Sequence, residues 1–181
     1  MNSLVREADR LNLIEIKKYG NPSKEDYDDI NKIALNLAKK LKADILVVKL
    51  GSRLMDLKLG QSITENKMSQ HISMSIHASK QILDKLTIDK REKVLACIKL
   101  HHGSKRYPSL EAEICANADA YRFLLPDKFR KAFYNFSKEM GFEETLKLLR
   151  FKVEEKYKAV TLDLCKKELD NNYSIISRML R

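Results

Sequence analysis

The residues of this 181-residue chain best placed for chemistry are titratable ones set on helix faces that should be burying apolar groups. His71 shares a face with Met68 and Ser75, and His101 continues a stripe of Val94, Cys97 and Ile98. Asp119 follows Ala112, Cys115 and Ala116, small residues that let another backbone come close. Asp26 heads the stripe Ile30, Ile33 and Leu37, and Asp56 lies beside Val48 and Leu57. Residues three, four or seven apart share a helix face, which is why these groupings carry meaning. A buried carboxylate or imidazole is costly unless it is paired or bound to a cation. One divalent ion where several helices meet would satisfy them together. Taken singly, each has an ordinary role: a satisfied core histidine, a helix cap, a surface acid.

The elements that must position these residues read as helices throughout. Residues 2–13 are a short amphipathic opening, and Tyr19-Gly20-Asn21-Pro22 is a turn. Ser23, with Asp26 in the first turn, starts a helix whose apolar face (Ile30, Ile33, Ala34, Leu37, Ala38, Leu41) runs to about Lys42. Asp44 caps a third helix over 45–57. The run Ile45–Val48 with Leu50 would suit a buried strand, but no partner strand exists elsewhere in the sequence. Residues 58–66 read as a loop. Further helices are predicted near 67–86, 90–102, 109–125, 127–139, 143–158 and 161–180, punctuated by Gly103, Pro108, Pro126 and Gly141. With no repeats and no Gly/Ser-rich linker, the expectation is a single all-α domain over 1–181, its core at about 24–125 and a helical extension at about 127–181.

Composition narrows the class. Five Gly, three Pro and no Trp exclude collagen-like and linker-like chains. Cys97, Cys115 and Cys165 show no CxxC spacing and sit among apolar neighbours, so they read as core residues in a reducing compartment. No apolar run approaches the ~20 residues of a membrane span, and MNSLVREADR carries acids where a signal peptide needs apolar residues, so a cytoplasmic protein is expected. The net charge of +10 favours polyanionic or phosphate-bearing partners. The lysines are nonetheless interleaved with acids, as on a solvated surface.

The joint pattern resembles the HD-domain superfamily, metal-dependent phosphohydrolases built as helical bundles. The similarity runs from Asp26 to Leu125, and the tail Glu143–Leu180 also looks like that of small members. Ser109–Ala120 is similar to the segment around the family's last metal-binding Asp, which Asp119 matches. Ile98–Gly103 resembles the segment carrying a histidine at a helix end, and His71 with Ser75 resembles the HxxxS/G segment. The run IALNLAKKLKAD ending at Asp44, with Leu50–Leu57 after it, matches the helices that carry the first His and the His-Asp doublet. The chain departs from the pattern at two places. Asp26 falls at the first His, and the doublet reads Met55-Asp56, placing a soft thioether where an imidazole is expected.

The resemblance implies one ion position made of Asp56, His71 and His101, and another made of the oxygens of Asp26, Asp56 and Asp119. The oxygen-only set suits Mg²⁺ or Mn²⁺ better than Fe or Zn. His102 is an alternative ligand to His101, because adjacent helical residues point about 100° apart. His77 lies off the His71 face and is expected to be structural or exposed. The implied function is a phosphohydrolase acting on a phosphate ester or nucleotide, with Asp56, His71, His101 and Asp119 at the reaction centre. Lys58, Lys105 and Arg106 would hold substrate phosphate. Two other readings are a degenerate HD domain that binds a nucleotide or a partner protein, and a basic helical nucleic-acid-binding protein. The last would use Lys147, Lys152, Lys156, Lys158, Lys166 and Lys167.

Overall fold

A computed structural model describes residues 2–180 and contains helices and no strand among them. Eleven α-helices follow in order: α1 Ser3–Tyr19, α2 Lys24–Leu41, α3 Ile45–Leu54, α4 Leu59–Thr64, α5 His71–Ala78, α6 Lys80–Leu83, α7 Ile88–Leu100, α8 Leu110–Phe123, α9 Pro126–Met140, α10 Phe142–Ala159 and α11 Asp163–Met179. A single 3-10 turn, Met68–Gln70, precedes α5. The expected all-α bundle is the fold of the chain, and 45–50 is helix.

Side-chain caps set several helix starts. Ser23 Oγ accepts from the Asp26 amide at 3.1 Å, Asp44 Oδ1 from Leu46 at 2.9 Å and Val47 at 3.2 Å, and Ser109 Oγ from Ala112 at 3.2 Å. Each satisfies amides that a helix leaves without a partner. α3 is the central rod: Val47, Val48, Leu50, Gly51, Ser52 and Leu54 are all buried, and α1, α2, α7 and α8 pack around it. Gly51 is where α7 comes closest, since a Cβ there would stand 2.5 Å from Cys97 Cβ.

Below the site, a polar network ties the first three helices together. Tyr27 donates to Asp9 at 2.6 Å, Arg53 Nε to Asp9 at 2.7 Å, and Ser52 to Asn31 Oδ1 at 2.7 Å. The C-terminal helices dock on α8 through Asn117. Its Oδ1 accepts from the amides of Thr161 at 3.0 Å and Leu162 at 3.1 Å, which fixes the turn between α10 and α11.

Several boundaries differ from expectation. The third helix stops at Leu54, so Asp56 lies in a turn rather than on a helix. Residues 59–64 are helical, and the helix expected over 67–86 is split. Asn66 has φ 56°, and at the split the Ser75 carbonyl accepts from both the Ser79 amide at 3.0 Å and the Ser79 hydroxyl at 2.7 Å. α7 ends at Leu100, leaving His101 and His102 in a turn completed by Gly103 at φ 113°. A Cβ at Gly103 would also stand 3.0 Å from Ala159 Cβ, so this turn is pressed against α10.

Candidate metal centre

Five segments meet at one place. Asp56 comes from the turn after α3, His71 from the first residue of α5, His101 and His102 from the turn after α7, Asp119 from α8, and Lys156 from α10. His71 and His101 are buried, and their Nδ1 atoms lie 2.9 Å from the Met68 carbonyl and 2.8 Å from the Ile98 carbonyl. A carbonyl only accepts, so each Nδ1 carries a proton, and in the neutral ring Nε2 keeps a lone pair. This backbone anchoring is the arrangement that orients metal-binding imidazoles.

Both Nε2 atoms face Asp56. Its Oδ1 is 4.0 Å from His71 Nε2 and 3.4 Å from His101 Nε2. His101 Nε2 is buried and makes no hydrogen bond. One ligand atom from each of His71, His101 and His102 falls within 4.8 Å of the others. Donors this close can converge on a single ion after small side-chain shifts. An orphaned buried nitrogen, two anchored imidazoles and a carboxylate fit a divalent ion at Asp56, His71 and His101.

Lys156 is the group that sequence reasoning placed elsewhere. It is buried, its ammonium pairs with Asp119 Oδ2, and Nζ lies 3.2 Å from His102 Nδ1. An ammonium has only protons to give, so His102 Nδ1 accepts and Nε2 carries the proton. That Nε2 is 3.1 Å from His71 Nε2, which accepts in turn; an ion bound to the same lone pair would displace this hydrogen bond. Lys156, His102, His71 and the Met68 carbonyl therefore form a chain of donors with every proton assigned from its partners.

The electrostatics follow the same order. Burial raises the Asp56 carboxyl, but the imidazoles of His101, His102 and His71 outweigh it and hold the group below the usual carboxylate range. At Asp119 burial is likewise outweighed, chiefly by Lys156. Burial, His101 and Lys156 pull His102 down to about 3, so its ring is neutral. Asp56 keeps His101 above its ordinary value despite burial, and Asp119 does the same for Lys156. Asp119 and Lys156 compensate each other, which leaves the Asp56 carboxylate as the charge a cation beside it would meet.

The oxygen-only position is not assembled. Asp26 is held by Arg122 Nη1 at 2.8 Å and by the Ser23 hydroxyl at 2.8 Å, while Asp119 is held by Lys156. Met55 is fully buried in the apolar core. The donors that do meet are rich in nitrogen, whereas the expectation of Mg²⁺ or Mn²⁺ rests on the oxygen-only set. His101 and His102 both reach the cluster, and their ring centroids are 4.0 Å apart. Lys58 pairs with Glu15 at 2.7 Å, Lys105 and Arg106 lie on the exposed turn after Gly103, and His77 is exposed.

A signal for Lys156 was present in the sequence. Thr145, Leu149, Val153 and Lys156 continue one buried stripe of α10 at spacings of four, four and three. The stripe marks Lys156 as inward, although its type suggests a surface residue.

The chain is similar to a 1.45 Å crystal structure described as a predicted HD superfamily hydrolase from an uncultured Thermotogales bacterium, with TM-score 0.64 and 15% identity over 97% of this chain and 88% of that one. The protein has the HD-domain fold. No protein-family profile and no curated protein matches its sequence.

Proposed function

We propose that the protein is a metal-dependent phosphohydrolase acting on a phosphate ester or nucleotide. The observation that carries this reading is the convergence of His71 Nε2, His101 Nε2 and Asp56, with both rings anchored through Nδ1 and one Nε2 left without a partner. A divalent ion held there would lower the pKa of a water and polarise a phosphoryl oxygen, the two needs of phosphoester hydrolysis. Asp56 and the two imidazoles would hold it, and the buried carbonyl anchors would keep the rings from turning away. His102 is half-exposed at the edge of the cluster, and the exposed turn bearing Lys105 and Arg106 follows it directly in the chain, so positive charge there would draw an anionic substrate. The test is metal analysis of protein purified without chelator, followed by turnover of a generic phosphate ester and a nucleotide panel. Activity above that of Asp56→Ala and His101→Ala supports the reading, and metal-free, inactive protein removes it.

A second reading is a catalytically degenerate HD domain that binds a phosphorylated ligand without turning it over. Met55 favours it, because the residue before Asp56 is a thioether committed to the core instead of a ligand. Nucleotide binding seen calorimetrically in protein that hydrolyses nothing in the panel would select this reading.

A further inference from the structure

Asp119 does not wait for an ion. Its carboxylate is 4% exposed and already paired with the ammonium of Lys156, itself 6% exposed, and the same ammonium reaches His102 Nδ1 at 3.2 Å. The lysine is delivered by design of the backbone. Its stripe on α10 buries Leu149 and Val153 behind it, Ala159 abuts the turn at Gly103, and Asn117 clamps the chain just beyond at Thr161 and Leu162. One helical turn along α8 from Asp119, Arg122 takes Asp26 in the same manner. The two carboxylates that could have built an oxygen-rich ion position are thus each closed by a side-chain cation.

We propose that Lys156 is a resident cation that stands in for a second metal ion, so that the centre loads one divalent ion at Asp56, His71 and His101 and offers an ammonium beside it. The proposal rests on the metal reading above. An ammonium supplies positive charge to phosphoryl oxygens as a donor with three protons, and it adds no coordination site for water. Placed between Asp119 and His102, it also repels a second ion from Asp119.

The test is metal counting, with Mn²⁺ as the probe. Protein is loaded with excess Mn²⁺, desalted and assayed for bound metal per chain. One ion in the wild type and two in Lys156→Ala, returning to one in Lys156→Ala with Asp119→Asn, is the expected result. One ion in both the wild type and Lys156→Ala overturns the role of Lys156 and leaves the hydrolase reading standing. Two ions in the wild type overturn it as well. No ion in the wild type overturns the proposal together with the hydrolase reading, whatever Lys156→Ala binds. Should Lys156→Ala fail to fold, anomalous scattering from wild-type crystals soaked in Mn²⁺ decides the matter: a single peak at Asp56, His71 and His101 supports the proposal, and a peak at Asp119 defeats it.

Discussion

At the scale of the residue, proton order around the three imidazoles is dictated by two end groups that can each do one thing. Lys156 gives a proton and the Met68 carbonyl accepts one. His102 is thereby committed between Lys156 and His71, whereas His101 Nε2 is committed to nothing. Removing His102 should therefore cost little Zn²⁺ affinity, within a few-fold by titration calorimetry. His71→Ala and His101→Ala should lose more than the roughly 10–100-fold typical of an outer hydrogen-bond partner. If His102→Ala loses as much as the other two, His102 is itself a ligand. Met55 gives a second expectation. Its side chain has no exposed surface and lies among core residues, so Met55→His should destabilise the fold by about 2–4 kcal/mol in denaturant titration and bind no more metal than the wild type. Asp56, His71, His101 and Asp119 were legible in the sequence because polar types on apolar stripes stand out. The fate of Asp26 was not, because Arg122 lies far along the chain and only the fold brings it near. Lys156 was obscured by its type, since a lysine is discounted as surface even when its spacing says otherwise.

At the scale of the element, the site depends on how closely α3, α7 and α8 approach. Gly51 faces Cys97 Cβ at 2.5 Å and Cys115 Sγ at 3.0 Å for a Cβ built on it, and those cysteines stand four residues before His101 and Asp119. Gly51→Ala should cost about 1–3 kcal/mol, read as a lowered urea midpoint, because backbone-proximal atoms must move apart. The same displacement spreads Asp56 from His101, so metal affinity should fall along with stability; an unchanged midpoint would mean the helices can slide freely. The link between α9 and α2 is electrostatic instead. Glu25 pairs with Lys128 and Lys131, whose hydrogen bonds and charges hold its carboxyl down to about 2. A folded-state pKa below the unfolded value stabilises above that unfolded value, ordinarily near 4.3, and the contribution disappears as pH falls toward about 2. Wild type should melt slightly above Glu25→Gln at pH 6, with the gap closing between pH 4 and 2. A constant gap would deny the pair any role. Helix type was readable from the 3.6-residue period, but the ends around 55–70 and 100–103 were not. Asn66 and Gly103, both at positive φ, mark these turns through local backbone geometry, which apolar spacing does not encode.

At the scale of the whole molecule, one apolar core runs from Val5 in α1 to Leu180 past α11, so the helices outside 24–125 share the packing of those within it. The C-terminal pair is more than an appendage, because α10 carries Lys156 into the centre. No helix among the described residues is long and apolar enough to cross a membrane. The surplus of +10 is the remaining global feature, and the fold limits what it can do. Over residues 142–179 there are eight basic and seven acidic residues, and one of the basic ones is Lys156, spent on Asp119. Elsewhere Lys58, Lys85, Lys90 and Lys128 are engaged by Glu15, Glu7, Asp44 and Asp29. A nucleic-acid groove needs several unengaged cations in a row, each neutralised phosphate adding about 0.9 to the slope of log affinity against log salt. The scattered charge here should yield weak association with duplex DNA or single strands at about 50 mM salt, lost by roughly 200 mM as expected for non-specific phosphate contacts. Fluorescence anisotropy across that range is the measurement. Submicromolar binding that persists at about 150 mM salt, and that falls when Lys147, Lys158, Lys166 and Lys167 are replaced together by Gln, would instead place a polyanion surface on α10 and α11.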